Sequence, residues 1–241
     1  GLDHYCEEPW IDQGKLGWRS APRTSGDEEI LRKLPKAFSE SGGLQLLEGN
    51  LGRAMIKISA VKQEHQVVQA PAIVFDTQEQ VMSSFNAGEL DRDFVAVIRN
   101  QGPRANGMPE LHKLTPPLGV LQNRGFKVAL VTDGRMSGAS GKVPAAIHLT
   151  PESQADGLIS RIRDGDEILL DARRGVLSVN IGDEELQSRP AASAEHCEQQ
   201  WGMGRELFDG FRQRVTGAEQ GAMSIFTEDP APVTESPPVK A

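Results

Sequence analysis

The sequence predicts a mixed α/β, β-rich fold, closer to a barrel or sandwich than to a doubly wound sheet. Two patterns predict it. Short apolar runs recur between Gly, Pro and Asp punctuation, as in residues 54–61 (AMIKISAV), 70–75 (APAIVF) and 93–100 (DFVAVIRN). Few helical patterns are interleaved with them, so regular βαβ alternation does not dominate. The length of 241 residues is enough for one large or two small domains with a buried core.

The elements follow in order. Residues 1–43 carry irregular Gly, Pro and Ser punctuation and read as a connector, with one short helix over DEEILRKL capped by Ser25 or Asp27. Order begins at GGLQLLEGN, and residues 54–61 predict a strand, followed by a second at 70–75. Asp76, with Glu79 three residues on, predicts the capping box of a helix that closes at Gly88. Residues 93–100 form the next strand, GPRANGMPELHKL a loop with a helical turn, and PPLGVLQNRG a helix ending at Gly125. FKVALVTDG is again a strand. Thr150 and Pro151 read as the cap and first position of a helix over TPESQADGLISRIRDGD. EILLDARRGVLSVNI reads as two strands about the turn DARRG. Residues 193–215 read as helical or mixed, and the Pro-, Glu- and Thr-rich residues 227–241 as a disordered tail.

Composition narrows the function. A net charge of −8 argues against general binding to nucleic acid or anionic membranes, and leaves room for a local basic pocket. No apolar run is long enough to span a bilayer. Cys6 and Cys197 stand far apart in no CxxC pair, which points to a reducing compartment and to no cysteine metal site within the chain.

One stretch concentrates chemistry. In VALVTDGRMSGASGK an apolar strand stops at Asp133-Gly134, and Ser137 and Ser140 follow among glycines, between Arg135 and Lys142. A phosphate-binding P-loop would need Gly at 136 and Ser or Thr at 143, where Met136 and Val143 stand. The GxSxG elbow of hydrolases fails around both serines. An anion nest of glycine amides remains, in which a serine alkoxide could act as a base; the plainer reading is a tight turn that ends a strand. RNQGPRANGMPEL also follows a strong strand and offers Arg99, Arg104 and Glu110. Two such loops can meet at one rim, where Glu110 would be a hard oxygen ligand for Mg²⁺, or simply a solvated residue in a first helical turn.

In order along the chain, GGLQLLEGNLGRAMIKISAV, FDTQEQVMSSFNAGEL, VAVIRNQGPRANGMPELHKLT, VALVTDGRMSGASGKVPAAIHLTPE and DGDEILLDARRGVLSV resemble blocks of the dihydroxy-acid and 6-phosphogluconate dehydratase family, over about residues 43 to 182. LEGNLGRA and GRMSGASGKVPAAIHLTPE look most like the 6-phosphogluconate branch. The resemblance implies a β-barrel-like swivelling C-terminal domain with flanking helices over residues 44–226, joined by residues 1–43 to a large N-terminal domain absent from this sequence.

It also implies a hydro-lyase that dehydrates 6-phospho-D-gluconate to 2-dehydro-3-deoxy-6-phosphogluconate. A [4Fe–4S] cluster would be bound by cysteines of the N-terminal domain, and Mg²⁺ would be held in part by Glu110. Ser137 is the implied base, and Arg135, Ser140, Lys142 and Arg104 are the expected substrate-binding residues; His112 and His148 lie near the loops and read as structural. The family setting implies a cytoplasmic homodimer, and the chain alone is expected to be inactive. Another dehydratase of the family, or a non-enzymatic binding barrel, are the alternatives.

Overall fold

The computed structural model describes residues 6–39, 42–136, 141–192, 202, 204 and 206–225. The chain divides into two compact units, residues 1–42 and 43–241.

The first unit is more ordered than its punctuation suggests. Strands β1 (Glu7–Asp12) and β2 (Lys15–Ser20) form an antiparallel hairpin. Gln13 (φ 46°) and Gly14 (φ 79°) make the two-residue turn, in which both central residues must adopt positive φ. Gly14 here serves a hairpin turn. The helix expected over DEEILRKL is a single turn: the Asp27 carboxylate accepts the Glu29 amide (2.8 Å) and the Asp27 carbonyl accepts the Leu31 amide (3.0 Å). A 3₁₀ turn at Leu34–Lys36 follows.

The second unit is a closed barrel of eight strands. They are β3 (Leu44–Gly49), β4 (Gly52–Lys57), β5 (Val67–Phe75), β6 (Phe94–Ile98), β7 (Val128–Thr132), β8 (Ala145–Thr150), β9 (Glu167–Asp171) and β10 (Val176–Val179). Around the barrel the order is β10-β3-β4-β8-β7-β6-β5-β9. Strands β5 to β8 are mutually parallel, β3–β4, β4–β8, β5–β9 and β9–β10 pair antiparallel, and one parallel bridge, Val176 to Glu48, joins β10 to β3. The barrel class expected from the sequence is thus observed.

Parallel neighbours need crossovers, and these supply the helices α1 (Gln78–Asn86), α2 (Pro103–Asn106) and α3 (Thr115–Asn123). Strands β6 and β7 are therefore buried on both faces. Val95, Val97, Ala129 and Val131 fill the barrel. Phe94, Ala96, Ile98, Val128 and Leu130 pack outward on Leu118 and Leu121 of α3 and Val81 of α1. That is why both strands read as unbroken apolar runs. Small residues Ala54, Ala70, Ala72 and Ala146 let the interior close without a lumen. Gly49 marks the tightest approach: a Cβ there would lie 1.8 Å from the Leu177 carbonyl oxygen.

Two boundaries differ from expectation. The capping box of α1 lies one residue later, at Thr77 and Gln80, because the Asp76 carboxylate is engaged by Arg99 (2.7 Å). Thr150 ends β8 instead of capping a helix. The chain then makes two 3₁₀ turns, Ser153–Ala155 and Leu158–Arg161, with Asp156 at φ 57° between them. Gly157 packs against the Pro151 carbonyl so closely that a Cβ would sit 2.0 Å from it, which holds the turn out of helix. Beyond the barrel lie α4 (Asp183–Ser188) and α5 (Asp209–Arg214). The tail 227–241 and most of residues 193–205 lie outside the described residues.

Candidate active site

Because β5, β6, β7 and β8 run the same way, the segments after all four emerge at one rim of the barrel. The carboxyl ends of parallel strands are where sites on such sheets form. Asp76 follows β5, Arg99–Gly102 follow β6, Asp133–Met136 follow β7, and Glu152–Ser153 follow β8.

The two glycine-rich loops do meet there. Glu110 and Arg135 form an isolated parallel bridge, and the Leu111 amide donates to the Arg135 carbonyl (3.1 Å). Arg135 Nη1 donates to Glu110 Oε2 (2.9 Å) and its Nε to the Met108 carbonyl (2.8 Å). The pair is partly open to solvent, with side-chain exposures of 49% for Arg135 and 28% for Glu110. His148, half-buried, donates its amide to the Gly134 carbonyl (2.8 Å). Burial and the nearby positive charge of Arg135 push its imidazole pKa down. His112 is exposed.

Beneath this pair lie two carboxylates that sequence reasoning did not assign. Asp133 is fully buried. Its Oδ1 accepts the Gln101 amide (2.8 Å), and its Oδ2 accepts the Ser153 amide (2.9 Å) and hydroxyl (2.8 Å). Ser153 Oγ in turn accepts the Asn100 amide (3.1 Å). Glu152 accepts the Arg104 amide (3.0 Å) and the Ala105 amide (3.2 Å). These are the N2 and N3 amides of α2, whose N-cap Gly102 has no side chain to offer. A Cβ on Gly102 would meet Glu152 Oε2 at 2.2 Å, so the capping group comes from across the rim. Burial raises the pKa of both carboxyls, against the lowering effect of the amides they accept. The signal for Asp133 was an acidic residue directly after a fully apolar strand. Nothing marked Glu152, whose partners are main-chain amides.

Of the expected substrate-binding residues, Arg135 sits on Glu110. Arg104 is exposed, donates from Nε to the Val215 carbonyl (3.3 Å), and lines a cleft of about 250 Å³ with Pro151, Glu152 and Gln220. Lys142 is exposed, and its carbonyl accepts the Gln122 side-chain amide (3.2 Å). Ser137 and Ser140 lie outside the described residues.

Among the described residues no three His, Cys, Asp or Glu side chains cluster to hold a metal, and the one described cysteine is Cys6 of the first unit. These residues do not build an iron–sulfur cluster. Glu110, at the rim with a partly exposed carboxylate, fits as a single oxygen ligand for Mg²⁺.

A family model, dihydroxy-acid/6-phosphogluconate dehydratase C-terminal, matches residues 29–222. The chain belongs to the dihydroxy-acid/6-phosphogluconate dehydratase family. It is 58% identical to a phosphogluconate dehydratase of Pseudomonas aeruginosa over 228 residues, covering 95% of this chain and 37% of that protein. Identity to the phosphogluconate dehydratase of Zymomonas mobilis is 51%, over 94% of this chain and 37% of that protein. The dihydroxy-acid dehydratase of Ignicoccus hospitalis is more distant, 40% identical over 74% of this chain and 33% of its own length. The chain thus spans well under half the length of these relatives and corresponds to their C-terminal part. Among the described residues no helix is long and apolar enough to cross a membrane.

Proposed function

We propose that this chain is the C-terminal part of a 6-phosphogluconate dehydratase, a hydro-lyase of the Entner–Doudoroff route working in the cytoplasm as a homodimer. The observation that carries the reading is the 58% identity to a phosphogluconate dehydratase across nearly the whole chain, against 40% to a dihydroxy-acid dehydratase.

The reaction removes the proton at C2 and the hydroxyl at C3 of 6-phosphogluconate and releases water and the 2-keto product. Ser137 takes the C2 proton in this reading, and Ser140 and Lys142 hold substrate oxygens. Glu110 would supply one oxygen ligand to Mg²⁺, and the bound metal would supply Lewis-acid stabilisation of negative charge next to the carboxylate. Arg135 holds Glu110 in place and presents a second cationic edge to an anionic substrate. Asp133 and Glu152 fix the backbone from which these side chains project. Arg104 is the candidate for the 6-phosphate. The cysteine ligands of the cluster belong to an N-terminal domain.

The test is dehydration of 6-phosphogluconate by this chain combined with the N-terminal part of the Pseudomonas protein, assembled without oxygen with iron, sulfide and Mg²⁺. Keto-acid product that disappears with Ser137→Ala is the expected result. Equal turnover by the Ser137→Ala variant, or faster turnover of an unphosphorylated sugar acid, would overturn the assignment.

A further inference from the structure

The first unit shows no core among its described residues. None of its described residues is buried, and Trp10, Ile11, Leu16, Trp18, Ile30 and Leu34 are all exposed. A two-stranded hairpin by itself is marginal in water. Its two faces differ sharply. Pairing Glu8 with Arg19, Trp10 with Gly17 and Asp12 with Lys15 puts the charges on one face. There Arg19 bonds Glu8 (2.6 Å) and stacks 3.5 Å over the Trp10 ring, so Trp10 is already served. Pairing Pro9 with Trp18 and Ile11 with Leu16 makes the other face apolar, with exposures of 71% for Ile11, 69% for Leu16 and 65% for Trp18. A contiguous apolar face rimmed by charge marks an interaction surface.

The family model of the C-terminal domain begins at residue 29, after the hairpin. The match to the Pseudomonas protein nevertheless takes in all but 13 residues of the chain, so β2, which begins at Lys15, belongs to the shared protein. More than three fifths of that relative lies outside the match. The hairpin therefore stands between the C-terminal domain and the bulk of the relative.

We propose that the face of Pro9, Ile11, Leu16 and Trp18 docks on the polypeptide corresponding to the N-terminal part of the phosphogluconate dehydratases. The proposal rests on the reading of this chain as the C-terminal part of such an enzyme. The partner surface is apolar, since the face offers no side-chain donor or acceptor except the Trp18 indole N–H and the flanking Glu7 and Ser20. The docked hairpin orders the joint between the two parts, while its charged face stays in water.

Radical footprinting read by mass spectrometry tests this, with the two tryptophans as opposed reporters. The chain is studied alone and joined behind the N-terminal part of the Pseudomonas protein. Oxidation of Trp18 is expected to fall about sixfold in the joined protein, as its exposure drops from 65% to the roughly 10% of a residue in an interface core. Trp10 should change by less than about twofold, because its face remains solvated. Unchanged Trp18, or protection of Trp10 instead, overturns the proposal.

The chain alone gives a second arm. Trp18→Lys should leave the melting temperature of the barrel within about 1 °C of the parent, as for a surface substitution with no partner. A larger fall means the face is already covered within the chain, and Trp18 protection that grows with concentration means a second copy covers it; either overturns the proposal. Dehydratase activity of the joined protein is read separately. Protected Trp18 in a protein without that activity sinks the substrate assignment and keeps the docking, and unprotected Trp18 in an active protein does the reverse.

Discussion

Replacing Asp133 by Asn keeps the shape of the side chain and removes its ability to accept on both oxygens. Three donors converge on this carboxylate: the Gln101 amide at 2.8 Å, the Ser153 amide at 2.9 Å and the Ser153 hydroxyl at 2.8 Å. An Asn oxygen can serve one side, and its NH₂ then faces an N–H on the other. One charge-assisted bond worth about 1.5–3 kcal/mol is lost, partly offset because a buried charge is lost with it. A net cost of about 1–3 kcal/mol corresponds to a fall in melting temperature of about 3–10 °C for a domain of this size. The pH dependence carries a sign. Burial holds the Asp133 pKa above its ordinary value, so the folded chain keeps this proton to higher pH than the unfolded chain does. Its stabilising contribution is complete below the ordinary Asp pKa of about 3.9 and is lost as pH rises through the folded value. The variant lacks that slope, so the stability gap between parent and Asp133→Asn should narrow from about pH 4 towards neutrality. Urea melts at several pH values measure it, and hydrogen exchange at the Gln101 and Ser153 amides should quicken in the variant. A gap that widens with pH would mean the donors outweigh burial. An unchanged melting temperature would mean the loops are not anchored here.

Four further outcomes follow from the structure. A double-mutant cycle on Glu110 and Arg135 should give a coupling below about 1 kcal/mol that shrinks in high salt, because both side chains are partly exposed; a salt-insensitive larger value would contradict that screening. Gly49→Ala should cost more than about 3 kcal/mol or prevent folding, since the new Cβ would meet the Leu177 carbonyl at the barrel seam. Gly119→Ala in α3, where nothing lies within 4 Å, should instead stabilise by about 0.5–1 kcal/mol in a thermal melt. His148 sits at φ 57°, which Asn also tolerates, and its imidazole pKa is held down by burial and Arg135. Its contribution to stability is present above the ordinary His pKa of about 6.5 and lost as pH falls through the folded value. His148→Asn should therefore match the parent near pH 8 and melt higher than it near pH 5, as followed by circular dichroism.

What the sequence disclosed depended on whether an interaction has a side-chain signature. DFVAVIRN and VALVTDG announced β6 and β7 because both faces are buried, and the turn DARRG announced β9 and β10. The helix expected after Thr150 was lost because Asp156 and Gly157 break it, one by positive φ and one by contact with the Pro151 carbonyl; the Asp-Gly pair is a turn signal that the helical reading passed over. The hairpin of residues 7–20 was read as irregular because Gln-Gly is a weaker hairpin signal than Asn-Gly. The helix cap moved one residue because a tertiary ion pair, Arg99 to Asp76, competed for the cap.

The candidate-site rim shows the same division. Glu110, Arg135, Arg104 and Lys142 were singled out because charged residues in glycine-rich loops stand out, and the structure joins the first two directly. Asp133 and Glu152 were not assigned because their partners, the Ser153 hydroxyl apart, are main-chain amides of segments 20 to 48 residues away. Main-chain amides leave no trace in residue type. Topology explains why they matter. Half of this barrel is antiparallel and closes through tight turns, so its loops alternate between the two ends. The parallel half must cross over outside the barrel, which stacks helices on that side and delivers four successive strand ends to one rim. Those ends would drift apart without a tie, because parallel strands bond along their length and not beyond it. Asp133 ties the ends of β6, β7 and β8 together, and Glu152 ties β8 to α2. The buried acids at this rim therefore anchor the strand ends from which the loops of Glu110 and Arg135 depart.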